Sequence, residues 1–167
     1  MKLTTLDSGE AFDVTGADRF RFNEAVSAGH LKVVPPTGVG KSRQFTPPHL
    51  KSLFCFQRHL TLGDPPRRAG EFASLIAELL VRIENKKKAG TLSEIVIAYG
   101  MGGAVEVHLG GPLPSDALVK GEPLFMQMIY SLENIETLLS ERITELNDQK
   151  LKPAKSSKPR RRRWGED

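Results

Sequence analysis

The stretch Asp18-Arg19-Phe20-Arg21-Phe22-Asn23-Glu24-Ala25-Val26-Ser27-Ala28-Gly29-His30-Leu31 decides how this chain is read. Asp18 is a helix N-cap residue, whose carboxylate accepts from the orphan N–H groups of a first turn, and Gly29 is a C-terminal stop. Between them Phe22, Ala25 and Val26 recur at i, i+3 and i+4, which places three apolar side chains on one helix face. The side that avoids them carries Arg19, Asn23 and Ser27 at i, i+4 and i+8, flanked by Arg21 and Glu24. Such a helix has one face for a core and one for a polar partner.

Upstream, Asp7 or Ser8 caps a shorter helix through Ala11, Phe12 and Val14, which Gly16 stops, so two short helices meet at a tight turn. Downstream come an extended apolar piece, Leu31 to Pro35, a loop at Thr37-Gly38-Val39-Gly40, and a return ending at Gln44-Phe45. Thr46 then caps a third helix with Pro47 and Pro48 at its first positions, where a missing N–H costs nothing. Its core face is Leu50, Leu53, Phe54 and Leu60, interrupted at Gly63. Asp64-Pro65-Pro66 repeats the cap-then-proline start. A fourth helix runs to about Lys87 with Phe72, Leu75, Ile76, Leu79, Leu80 and Ile83 on one stripe.

The period then changes. Glu94 to Tyr99 and Ala104 to His108 are β-branched runs separated by Gly100, Gly102 and Gly103, which reads as a hairpin. Leu124 to Tyr130 reads as a third strand, and Ser131 caps a closing helix with Ile135, Leu138, Leu139, Ile143 and Leu146 on one face. The expected class is therefore α+β. A first unit spans residues 1–88, a small three-stranded sheet plus closing helix spans 89–148, and residues 149–167 form a disordered basic tail with too little apolar surface to offset its ordering entropy.

Composition narrows the class. The chain has 167 residues, of which 39% are hydrophobic, enough for one core but without a run approaching the ~20 residues of a membrane span. The opening Met1-Lys2-Leu3-Thr4-Thr5 lacks the apolar core of a secretory leader. The single Cys55 makes no internal disulfide, so a reducing cytoplasm is the expected location. The formal charge of +4 is uneven: residues 150–167 carry eight basic and two acidic side chains, while the other 149 residues hold 16 basic and 18 acidic ones. The tail is +6 and the body −2.

Gly29-His30-Leu31, Arg43-Gln44-Phe45-Thr46, the cap before Leu50, and Leu60 to Gly63 form an ordered set in the helix, turn, helix, wing, helix order. This set resembles the mercury-resistance-regulator (MerR)-type winged helix-turn-helix DNA-binding domain over residues about 5–85. The resemblance implies that the second helix enters the major groove while the wing meets the flanking backbone. Arg19 and Asn23 are then the base-reading candidates, since arginine pairs bidentately with guanine and asparagine with adenine, with Arg21 and Ser27 beside them. Lys41, Ser42 and Arg43 on the wing, and Arg67 and Arg68 at a helix N-terminus, would contact phosphates. The family's long dimerisation helix and effector-binding cysteines are missing, so effector sensing is not implied.

Other motifs carry less. Gly38-Val39-Gly40-Lys41-Ser42 imitates the end of a phosphate-binding P-loop, but Pro35 stands at the first glycine position and no helix opens directly after Ser42. His30, His49, His59 and His108 have no metal-ligand spacing, and Cys55 beside Phe54 reads as a buried small hydrophobe. No carboxylate pair or Ser/His/Asp order suggests catalysis, so neither an enzyme nor a cofactor is expected. Arg160, Arg161, Arg162, Arg163 and Trp164 suit sequence-blind nucleic-acid contact, with the indole available for stacking.

The expectation is a cytoplasmic, nucleoid-associated, sequence-specific transcription regulator of bacterial or phage type. It binds double-stranded DNA as a homodimer on a palindromic site, with RNA polymerase or a recombinase as a further contact. Dimerisation is expected through strand edges at Val96 or Val107, or through the Ile135–Leu146 helix face. The second unit is too small for a roomy ligand pocket, so no small-molecule effector is expected. The alternative is a protein–protein adaptor in transcription or recombination whose basic tail is its only nucleic-acid element.

Overall fold

The computed structural model describes residues 3–37, 42–86 and 94–151. A two-residue strand β1 (Leu6–Asp7) leads directly into α1 (Ser8–Thr15). Asp7 and Glu10 close a capping box: the Asp7 carboxylate accepts from Glu10 N at 3.0 Å and the Glu10 carboxylate from Asp7 N at 3.2 Å. Gly16 (φ +69°) ends α1 in the left-handed region that glycine enters at no steric cost. Ala17 and Asp18 complete the turn into α2 (Arg19–Ser27). After β2 (Gln44–Phe45) come α3 (Pro47–Thr61) and α4 (Pro66–Lys86).

The second part holds β3 (Glu94–Gly100), β4 (Val105–Leu109), β5 (Leu118–Val119), β6 (Glu122–Ser131) and α5 (Leu132–Leu151). The sheet is antiparallel in the order β4-β3-β6-β5. Ile95, Ile97 and Tyr99 of β3 belong to the same apolar cluster as Phe22, Phe56, Ile76 and Leu139, so residues from both parts share one core. The outer face of β3, Val96 and Ala98, is also buried. There the Gln127 side chain fastens the loop after β4, accepting from Leu113 N at 2.8 Å and donating to Leu113 O at 3.0 Å. Among the described residues no helix is long and apolar enough to cross a membrane.

Four expectations are corrected. The sheet has four strands rather than three, because β5 is only two residues long and leaves no periodic signal in a Gly/Pro-rich loop. Gln44–Phe45 does not pair with Leu31–Pro35 but with Leu6–Asp7, in the register Leu6↔Phe45 and Asp7↔Gln44. Pro35 and Pro36 lack the N–H groups that a ladder needs, and residues 31–37 run unpaired. Leu75 falls off the buried stripe and is exposed, since α4 turns Ala69, Phe72, Ala73 and Ile76 to the core. The chain remains helical to Leu151, past the expected start of the tail, with Lys150 ion-paired to Glu10 of α1. The expected tail beyond residue 151 lies outside the described residues.

Thr46 stands at the cap position of α3, but its hydroxyl bonds His49 Nδ1 at 2.7 Å rather than the backbone. Cys55 is fully buried and burial pushes its thiol up to about 12, in keeping with a packing role. Phe22 lies at the centre of the first part, so Phe22→Ala is expected to destabilise the protein by about 3–5 kcal/mol in denaturant unfolding. Phe20→Ala, two residues away and 74% exposed, should shift stability by less than about 0.5 kcal/mol.

Candidate nucleic-acid interface

A nine-residue helix such as α2 is too short to hold itself in water, so its neighbours set its orientation. At its start the Asp18 carboxylate accepts from Arg21 N at 3.0 Å, and Asp18 N donates to Gln57 Oε1 of α3 at 3.1 Å. At its end Gly29 (φ +72°) reverses the chain, and His30 N and Leu31 N both reach Ala25 O, at 2.8 and 3.1 Å. The exit is then tied to α4: Lys32 N donates to Ser74 Oγ at 2.8 Å, and His30 passes so close that a Cβ on Gly70 would lie 3.0 Å from its carbonyl carbon. On the inner face Phe22 meets Phe12 edge-on, with centroids 5.2 Å apart, and also touches Phe45 and Phe56 at 6.0 and 6.5 Å.

This clamp leaves Arg19, Phe20, Arg21, Asn23 and Ser27 exposed on the outer side. They are not equivalent. The Arg19 guanidinium lies over the Phe12 ring, 5.2 Å from its centroid, and Arg21 is paired with Glu24 at 3.2 Å. Asn23 and Ser27 have no side-chain partner among the described residues. Phe20 was missed by the sequence reading, although it lies off the Phe22–Ala25–Val26 face and its exposure follows from that.

The expected phosphate contacts separate further. Ser42 is exposed in the segment before β2, and Lys41 lies outside the described residues, as do Arg160, Arg161, Arg162, Arg163 and Trp164. Arg43 is half-buried: its guanidinium donates to Pro35 O at 3.1 Å and lies 5.9 Å from the Phe22 centroid, bracing the far side of α2. Arg67 donates to Glu71 at 3.0 Å. Arg68 stacks over Tyr99 and Phe72, at 5.0 and 5.6 Å, with Asp64 at 3.7 Å. The starts of α2 and α4 flank one cleft of about 340 Å³, with Asp18 and Arg21 on one wall and Asp64 and Pro66 on the other.

Behind this cleft lies a buried polar pair. Asp64, expected as the cap of α4, accepts instead from His59 Nδ1 at 2.7 Å. The His59 ring is fully buried, with centroids 4.7 Å from Phe72 and 5.9 Å from Tyr130, and neither its Nε2 nor the Tyr130 hydroxyl has a hydrogen-bond partner among the described residues. Desolvation lowers the His59 pKa and nearby Arg68 acts the same way, and together they outweigh the Asp64 hydrogen bond and charge that raise it. The ring is therefore neutral at pH 7, with its proton on Nδ1.

A second concavity lies outside the small second unit taken alone. A groove of about 570 Å³ opens between α3 and α5, with Phe54, Arg58, Tyr130, Leu138 and Arg142 among its walls. It forms between the two parts, so neither stretch of sequence announces it. Among the described residues no three His, Cys, Asp or Glu side chains gather as a metal-holding group. No family model matches the chain, and no curated protein matches it.

Because the folded-state pKa of His59 is lowered, the unfolded chain binds the extra proton, and stability drains away as pH falls below the ordinary histidine value of about 6.5. His49, lowered by burial, adds a slope of the same sign. Urea midpoints measured from pH 7.5 down to about 5 should therefore fall, and His59→Gln should flatten the fall relative to wild type.

Proposed function

We propose that this chain is a sequence-specific DNA-binding regulator that inserts α2 into the major groove, in the manner of the winged helix-turn-helix domain it resembles. The observation that carries the reading is the two-sidedness of α2. Its apolar face is locked in an aromatic cluster while Arg19, Asn23 and Ser27 lie one helical turn apart on an exposed face. A reading helix needs both, because base contacts specify only when the side chains are held in register. Asn23, without a side-chain partner among the described residues, is the adenine reader of this proposal. Arg19 reads guanine by leaving the Phe12 ring, a weak contact of about 0.5–1 kcal/mol at an exposed site.

Lys41 and Ser42 take the phosphate contacts of the wing, and Arg43 positions α2 from behind. Arg67 and Arg68 contribute less than the sequence suggested, since Glu71 and Asp64 already neutralise them. The tail supplies sequence-blind attraction of roughly one unit of salt slope per contacting charge. The reading involves no catalysis, no cofactor and no effector, and the functional unit is a homodimer on a palindromic site.

A protein–protein adaptor is the second reading. Phe20, 74% exposed on the same face of α2, and the net −2 of the body favour it, because a large apolar side chain in the open suits a protein partner.

The discriminating experiment is a selection of bound genomic fragments followed by titration of the recovered site. Arg19→Ala and Asn23→Ala are each expected to cost about 1–3 kcal/mol at one base position, a loss of roughly five- to two-hundredfold. If both variants bind like wild type while deletion of residues 152–167 removes all binding, the adaptor reading replaces this one.

A further inference from the structure

One edge of the sheet is unfinished. β6 is paired by β3 along its length but by β5 only at Glu122 and Pro123, and Leu124 N reaches Ala117 O at 3.0 Å. Beyond that, among the described residues, no backbone group pairs the outer side of residues 125–130. Natural edges are protected by charge, proline or coverage, because a bare row of N–H and C=O groups templates another strand. Apart from one bulge at Phe125, this edge has no such device. Leu124-Phe125-Met126-Gln127-Met128-Ile129-Tyr130 contains no charged residue, and Phe125, Met126 and Ile129 are exposed, with Met101 and Leu118 beside them at the head of the strand.

The occupant must supply a strand, since only a strand satisfies a row of backbone groups. The arginine-rich stretch after residue 151 is a poor fit, as it would bring charge and two prolines to an uncharged ladder. The segment does complement itself. About a two-fold axis at Gln127, Met126 faces Met128 of a second copy and Phe125 faces Ile129, all within the stretch that β5 leaves unpaired. Even-numbered Met126, Met128 and Tyr130 are opposite Tyr99, Ile97 and Ile95, the core-facing residues of β3, so this axis joins inner face to inner face. Gln127 meets its own copy, and its amide is already satisfied by Leu113. A bulge between Tyr99 and Gly100 leaves Phe125 unopposed by β3 and 70% exposed.

We propose that two copies of this chain pair antiparallel through the Phe125–Ile129 edge of β6, making one continuous sheet across the dimer. This deepens the reading above by naming the surface behind its two-fold symmetry, and it replaces the Val96 and Val107 edges and the α5 face as the dimer contact.

The test is the mass of the full chain by sedimentation equilibrium at concentrations up to roughly 100 µM. Wild type is expected to be a dimer. Ile129→Lys, at a 42% exposed position, should raise the dissociation constant tenfold or more, with a nearly unchanged urea midpoint when both chains are compared at dilutions where they are monomers. Phe125→Glu should do the same. The double variant Phe125→Glu/Ile129→Lys should recover the dimer, because each new carboxylate faces an ammonium of the other copy. Leu75→Lys, exposed on α4, should remain dimeric. A monomeric wild type, or an Ile129→Lys chain that stays dimeric, overturns the proposal; failure of the double variant to recover overturns the pairing about Gln127. The DNA reading fails separately: an Ile129→Lys monomer that still discriminates a half-site leaves it standing, whereas a dimer blind to sequence removes it alone.

Discussion

Packing of Phe22 edge-to-face against Phe12 and Phe56, and tilted against Phe45, is the contact on which the rest of the first part depends. These rings come from α2, α1, β2 and α3, so one cluster joins four elements too short to persist alone. The pairing of β2 with β1 follows from it, because Phe45 reaches the cluster only when Gln44–Phe45 lies along Leu6–Asp7. Arg43 closes the cluster from outside, its guanidinium over Phe22 and bonded to Pro35 O. The outward face of α2 is held by consequence: the aromatic contacts that fix the helix lie on the opposite face, and from the outward side Arg19 reaches back over Phe12.

The two parts meet through a second set of contacts of different character. Phe72 of α4 packs edge-on to Tyr99 of β3 at 5.7 Å, while Arg68 lies over both rings. His59 sits beneath Tyr130, held by Asp64 from the turn between α3 and α4. This junction is polar where the aromatic cluster is dry, which makes it the part of the core that responds to pH. It also uses up cations. Arg68 and Asp64 serve the junction, and Arg67 and Glu71 serve each other, so the start of α4 keeps little net charge for an outside partner.

Charge explains why the functional reading rests on single side chains rather than on a basic surface. On the proposed DNA reading, with a body of −2, attraction to a polyanion would come from the basic residues at the C-terminal end, and discrimination from a few groups on α2. The unfinished edge of β6 lies on a different element, so a partner copy and a nucleic acid would not compete for the same residues.

Local signals made much of this protein legible in its sequence. Asp18 caps the helix expected of it, Asp7 rather than Ser8 caps the first, Gly16 and Gly29 stand in the left-handed conformation, and the runs around Val96 and Val107 form the hairpin. These features are decided within a few residues by backbone sterics and by the satisfaction of orphan N–H groups, so local composition suffices. Pairing and occupancy were decided elsewhere. That β2 joins β1, that two residues at Leu118–Val119 extend the sheet, and that Asp64 turns to His59 instead of capping α4 depend on groups distant in sequence. Of the residues chosen for DNA, the sequence placed Arg19, Asn23 and Ser27 on one face, because a 3.6-residue period does that unaided. Only the tertiary structure assigned Arg43 to Phe22 and Arg68 to Tyr99, since an arginine's partner is fixed by what packing brings within reach of its guanidinium.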